Sequence, residues 1–191
     1  MSNENQEEIA TILEQTEKLD FLIQSLVKLS RMESGIIAVH SEDTTIKQML
    51  ESIQQQFNVK VREKNITLSP CDTDLHIRCD SKWTVEALGN IVDNAIKYTA
   101  CGGNVQIKVE QYSFFVKIDI IDDGIGIEKE EIPKIFGRFY RSLSVADQPG
   151  VGIGLFLARE IIQAQKGYIK VTSKRGKGST FSVFLPIAKK E

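Results

Sequence analysis

The sequence predicts an α/β fold: a mixed β-sheet covered by helices on one face and preceded by a long N-terminal helix. Three patterns predict it. Two alternating runs rich in β-branched residues, 105–109 and 114–121, flank a QYS turn in the manner of paired strands. The stretches 46–63 and 155–165, and another starting near residue 81, repeat their apolar residues at helical spacing. A second alternating pair, 168–172 and 180–185, closes the chain around SKRGKGS. A sheet interleaved with amphipathic helices buries its apolar side most economically beneath them.

Taken in order, residues 4–33 form the long helix. Ile9, Ile12, Thr16, Leu19, Ile23, Leu26 and Ser30 recur at alternating spacings of three and four, an a/d seam suited to packing on other helices. Leu13, Leu22 and Leu29 widen the stripe towards that of a bundle helix. Glu33, Ser34 and Gly35 supply the stop, glycine being suited to the left-handed cap position. After a short extended IIAVH piece, the run SEDTT offers N-cap candidates for a second helix. Ile46, Leu50, Ile53, Phe57 and Val61 give that helix one apolar face, to about residue 63. Short strands are expected at 66–68 and 75–77. Asp80 or Ser81 caps a third helix whose Val85, Leu88, Ile91, Val92, Ala95 and Ile96 face the core. The chain has no internal repeat and no low-complexity tract.

Composition narrows the function. The 191 residues, 41% hydrophobic, suffice for one ordinary domain and a smaller element. With 24 basic and 26 acidic residues intermixed, no field favours nucleic acid or a membrane surface. Cys71, Cys79 and Cys101 are odd in number and lack CxxC spacing, which argues for reduced, partly buried thiols rather than disulfides or zinc. No apolar run approaches the roughly 20 residues that cross a bilayer, and MSNENQEEIA has no signal-peptide core. A soluble, cytoplasmic chain without membrane contact is the expectation.

Four stretches carry chemistry: 86–99 (EALGNIVDNAIKYT), 122–127 (DDGIGI), 135–141 (IFGRFYR) and 150–155 (GVGIGL). Asn90 and Asn94 lie one helical turn apart, on the face that Lys97 and Tyr98 continue. An amide oxygen can complete the coordination of a magnesium ion that a triphosphate already neutralises, and the lysine can meet a phosphate. Glu86, a further turn upstream, can orient a metal-bound water or act as a base. Asp122 ends an apolar strand and can accept a hydrogen bond from an exocyclic amine, which selects adenine over guanine. Gly124 and Gly126 let backbone approach a ring closely. Gly150, Gly152 and Gly154 precede the helical run LFLAREIIQAQ, whose first amides suit phosphate oxygens. No Gly-Lys-Ser/Thr follows, so this is not a P-loop, and GxGxxG is absent there. Phe136, Phe139 and Tyr140 anchor a loop able to close over a ligand. Arg138 or Arg141 can add charge, and Arg141, next to the loop, is the better candidate.

In this order the four stretches resemble the N, G1, F and G2 boxes of bacterial sensor histidine kinases, and RGKGSTF is similar to their final glycine-threonine element. The resemblance covers residues 41–191. It implies the two-layer α/β sandwich of the GHKL ATP-binding type, with ATP between helices and sheet under a lid. It further implies ATP and Mg²⁺ as cofactors, Asn94 as metal ligand, Asn90 as supporting contact, and Lys97 as phosphate contact. Tyr98 would neighbour the nucleotide, Asp122 would read adenine, and Gly124, Gly126, Gly150, Gly152, Gly154 and Leu155 would line it. Ser179 stands where the family commonly has threonine.

Residues 15–35 resemble the second helix of the family's dimerisation and phosphotransfer hairpin. Division at residue 36 is therefore expected: a partial dimerisation helix over 1–36 and an ATP-binding catalytic domain over 37–191. The first hairpin helix, with its phosphate-accepting histidine, has no counterpart, and neither His40 nor His76 resembles the acceptor. The lid, SLSVADQP, contains no lysine or arginine. The expected function is transfer of the ATP γ-phosphoryl to a histidine outside this sequence, for relay to a response-regulator receiver domain, in a homodimer formed through the N-terminal helix. The rivals are a GHKL serine kinase acting on a regulatory partner, which the a/d seam disfavours, and a non-catalytic dimeric nucleotide-binding module, which intact metal and base motifs disfavour.

Overall fold

The computed structural model of the chain describes residues 3–33, 39–145, 148 and 150–187. The expected helix stop at Ser34 and Gly35, most of the IIAVH piece, part of the SLSVADQP lid and the Leu29 side chain lie outside the described residues.

Helix α1 (Asn3–Glu33) comes first, then strand β1 (Glu42–Thr45) and helix α2 (Ile46–Glu63). Strands β2 (Thr67–Ser69) and β3 (His76–Cys79) precede helix α3 (Ser81–Tyr98). The β4 (Asn104–Gln111) and β5 (Phe115–Asp122) hairpin follows, then α4 (Gly154–Ala164) and the closing strands β6 (Tyr168–Ser173) and β7 (Ser179–Pro186). Five strands form the main sheet in the order β2-β4-β5-β7-β6. Only β2 and β4 run parallel, which makes the sheet mixed as expected.

Strand alternation decides what the sheet buries. Val116, Ile118 and Ile120 of β5 oppose Leu185, Val183 and Phe181 of β7, and all six are buried. Ile46, Ile53, Leu88, Ile91, Val92, Leu157 and Ile161 of α2, α3 and α4 complete the same core. Three helices therefore cover one face. Asp122 and its partner Ser179 are the next members of this helix-facing row, so the strand period itself aims both inward at the sheet's end.

One short strand escaped the sequence. SEDTT does supply the α2 cap, since Thr45 Oγ1 accepts from Gln48 N–H at 3.3 Å, but residues 42–45 also pair antiparallel with β3 as a separate two-stranded sheet. A polar strand without apolar alternation gives no period-2 signal. Asp80 is the α3 cap, with Oδ1 accepting from Trp83 N–H at 3.1 Å. The cysteines are all free: Cys79 buried, Cys71 half-buried and Cys101 exposed.

Helix α1 meets the rest of the domain at α4. Leu22 packs on the core and Ser25 is buried, whereas Ile9, Ile12, Leu19, Ile23 and Leu26 of the predicted seam are all exposed. The two faces of the helix are thus in different use, one turned inward and the other left to solvent. No described helix is long and apolar enough to cross a membrane.

Candidate nucleotide site

An open cleft lies between α3, the start of α4 and the turn after β5. The face of α3 supplies Asn90, Asp93, Asn94 and Lys97 at spacings of three and four, with Tyr98 beside them. The end of β5 and its turn supply Asp122, Ile125 and Gly126, and β7 supplies Ser179 and Phe181. From the opposite side come Tyr140, Arg141, Gly150, Gly152, Gly154 and Leu155.

Twelve of the fourteen site residues named from the sequence thus line one cleft; Glu86 and Gly124 do not. Glu86 uses its backbone carbonyl to accept a hydrogen bond from Asn90 Nδ2 at 2.9 Å. The cleft ends at Asn90, where α4 begins against α3: a Cβ on Gly154 would stand 3.0 Å from Asn90 Oδ1. Gly124 serves protein packing instead. Its N–H donates to Asp122 Oδ1 at 2.9 Å, and an added Cβ would lie 2.6 Å from the carbonyl oxygen of Tyr98. Gly126, at φ +66°, turns the chain against the β6–β7 hairpin, where a Cβ would fall 2.1 Å from Lys174 O. Its neighbour Ile125 accepts from Gly176 N–H at 2.8 Å.

The electrostatics follow from burial. Asp122 is 8% exposed, and desolvation raises its carboxyl above the usual range, partly offset by hydrogen bonds from the Gly124 and Ser179 backbones. Lys97 is held below the usual lysine range, first by desolvation and then by the charge of Arg141. Its ammonium stands 4.7 Å above the Tyr98 ring, and burial pushes the Tyr98 phenol up. A cleft lined by both a desolvated cation and a desolvated carboxylate suits a ligand with an anionic part and a hydrogen-bonding part. At the start of α4, Ile153 offers no side-chain cap bond, so the first amides keep their capacity for an external acceptor.

The segment carrying the aromatic residues is a succession of turns. Arg138 is drawn out of the cleft onto the Phe156 ring, 4.6 Å from its centroid, and Arg159 stacks on Phe136 and Phe156. Tyr140 lines the cleft and donates to Glu131 at 3.1 Å. Phe139 stays 55% exposed, with φ of +59°. Arg141 lines the cleft, but its guanidinium donates to the carbonyls of Val145, at 3.0 Å, and of Gln148, which fastens the described part of the lid. Sequence reasoning missed Arg175. It reaches the cleft from the β6–β7 turn, within 3.5 Å of Ser144 Oγ, and the string RGKGSTF contained it without a role.

Residues 79–189 match the family described as histidine kinase-, DNA gyrase B-, and HSP90-like ATPase. Among curated proteins, the chain is 33% identical over 177 residues to the sensor histidine kinase WalK of Bacillus subtilis, covering 90% of this chain and 29% of that protein. It is 29% identical over 171 residues to the sensor protein kinase PmrB of Pseudomonas aeruginosa, covering 89% and 36% respectively. The chain therefore spans about a third of the length of such relatives. Among solved structures, the Acinetobacter baumannii histidine kinase AdeS superposes with a TM-score of 0.77 at 24% identity, over 95% of this chain and 84% of that one. The histidine kinase ThkA in complex with the response regulator protein TrrA superposes with a TM-score of 0.80 at 22% identity, over 100% and 54%. The mixed sheet under three helices is the GHKL-type fold, and the chain belongs to the histidine kinase-, DNA gyrase B- and HSP90-like ATPases.

Proposed function

We propose that the chain is the ATP-binding catalytic portion of a cytoplasmic sensor-kinase region, with residues 1–36 one half of a dimerisation and phosphotransfer hairpin and 37–191 the catalytic domain. One observation carries the reading: Asn94, Lys97, Asp122 and the glycine-rich start of α4 line a single cleft. In this reading Asp122 accepts the exocyclic amine of adenine, Lys97 and the first amides of α4 meet the phosphates, and Tyr98 flanks the nucleotide.

The donor set also fits magnesium. Among the described residues no group of three His, Cys, Asp or Glu could hold a metal alone, and the cleft offers neutral amides at Asn90 and Asn94. Such a set suits an ion that arrives with its own anion. Asn94 would hold it, and the ion would neutralise phosphate charge. The chain's own residues would position the nucleotide and its phosphates. The γ-phosphorus would exchange its bond to the β-bridging oxygen for one to a histidine nitrogen supplied by a helix outside this sequence, releasing ADP and the imidazole proton. The phosphoryl group would then pass to a response-regulator receiver domain, the partner class present in the ThkA–TrrA complex. The exposed α1 seam supports pairing of two copies.

Calorimetry with ATP and magnesium tests the site. Asp122→Asn is expected to weaken ATP binding about 100-fold, since a buried acceptor is replaced by a group that also donates. Unchanged affinity in a folded variant would reject the assignment of Asp122. Acid-labile label on an added acceptor-helix polypeptide is the outcome for a histidine kinase, and acid-stable label would instead identify a serine kinase.

A further inference from the structure

A helix leaves its last four carbonyls without partners inside the helix, and in α3 every one of them is accounted for. Ala95 O accepts from Thr99 N–H at 3.1 Å. Ile96 O and Lys97 O both accept from the ammonium of Lys64, at 2.8 and 2.9 Å, and the same ammonium bonds Thr99 O at 2.8 Å. Those three bonds use the full donor capacity of a lysine. Tyr98 O accepts from Ile125 N–H at 3.2 Å, with Gly124 packed against the same carbonyl.

Lys64 is the C-cap residue of α2, and its side chain reaches across to the end of a different helix. A cation there also complements the negative end of the α3 dipole. The turn it grips matters because Lys97 and Tyr98 line the cleft, and Tyr98 in turn fixes Ile125, which lines it from the side of Asp122.

We propose that Lys64 is a positioning residue of the nucleotide site. It does not line the cleft; it holds the last turn of α3, and through that turn the placement of Lys97, Tyr98 and the 124–125 backbone. The inference rests on the nucleotide reading above. Without the ammonium, three carbonyls at the foot of α3 lose their donor. The buried residues Leu88, Ile91, Val92, Ala95 and Ile96 still anchor the helix. The loss should therefore fall on binding geometry more than on the fold.

The test combines ATP calorimetry on the whole chain with amide hydrogen exchange. Lys64→Met is expected to raise the Kd for ATP about tenfold, which corresponds to about 1.4 kcal/mol. The Thr99 and Ile125 amides should exchange faster, while the β4–β5 ladder keeps its protection. Lys64→Arg keeps the charge and can still bond two carbonyls, so its Kd should stay within about threefold of wild type. If the methionine variant does not fold, Lys64→Gln, which loses the charge and at least one of the three bonds, takes its place and should move the same way by a smaller factor. Unchanged affinity in a folded Met or Gln variant overturns the proposal, and so does a uniform rise in exchange across the domain. Wild-type protein that binds no ATP sinks the nucleotide reading and this inference together; binding by wild type and variants alike sinks only the inference.

Discussion

The two ends of α3 are both held by polar groups from other elements, but for different ends. At the first turn, Asp80 is 8% exposed, caps Trp83, and accepts from His40 N–H at 3.0 Å through its second oxygen. Its own N–H donates to Gln165 Oε1 at 2.8 Å, and Gln165 in turn bonds Thr84 Oγ1 at 3.2 Å. This buried network ties the start of α3 to the end of α4 and to the segment before β1. None of its members lines the cleft. At the last turn, Lys64 and Ile125 satisfy the carbonyls while the side chains of Lys97 and Tyr98 face the cleft. The first turn is thus a locked end that contributes nothing to the cleft, whereas the last turn is an open end whose side chains line it, and the two should respond differently to mutation.

The largest separation should come from Asn94→Ala, towards the open end. We expect ATP affinity measured with magnesium to fall about 100-fold, the scale for losing one preorganised polar contact, with the unfolding midpoint nearly unchanged because Asn94 is only half-buried. A large loss of stability with retained affinity would reverse the comparison.

At the locked end, Asp80→Ala should do the opposite. Loss of the cap together with the contact to His40 should cost about 2 kcal/mol in urea unfolding, while ATP affinity stays within about twofold. Trp83, the chain's only tryptophan, sits in the affected turn and reports the transition by its fluorescence. An equal fall in affinity would mean that the two ends are not separable.

How far the sequence foretold this division depends on the range of each interaction. The period of α3 put Asn90, Asn94 and Lys97 on one face, and the period of β5 put Asp122 on the helix side, because both are local geometry. Glu86 shares the α3 face but lies beyond the point where α4 begins against it at Gly154, which no local spacing encodes. Lys64 and Gln165 sit 32 and 81 residues from groups they bond, so neither carried a signal. β1 went unseen because its polar residues gain their pairing only when β3 arrives. Arg175 was visible in a hairpin turn, but its approach to the cleft depends on Gly126 packing beneath that turn.

The open end should also titrate. In the free protein Lys97 sits below the usual lysine range, by desolvation first; a bound phosphate would raise it again. ATP binding should therefore take up a proton in the interval between the two values, and affinity should decline as pH rises through that interval towards the ordinary lysine value of about 10.4. Lys97→Met should weaken binding about tenfold near neutrality and abolish the slope. A slope that survives the substitution would assign the proton to another group.

The smallest effect expected is that of Arg175, which lies across the cleft from α3 and offers a cation to a lid whose own residues provide none. Its guanidinium is 41% exposed and only loosely paired, with Nε 3.9 Å from Glu128 Oε1. An exposed charge of this kind contributes little and is screened by salt. Arg175→Ala should thus weaken ATP binding about threefold at low ionic strength, and the difference from wild type should vanish near 1 M salt. A loss that persists at high salt would mean a direct, desolvated phosphate contact. It would also move the boundary of the open end from the last turn of α3 out to the β6–β7 hairpin.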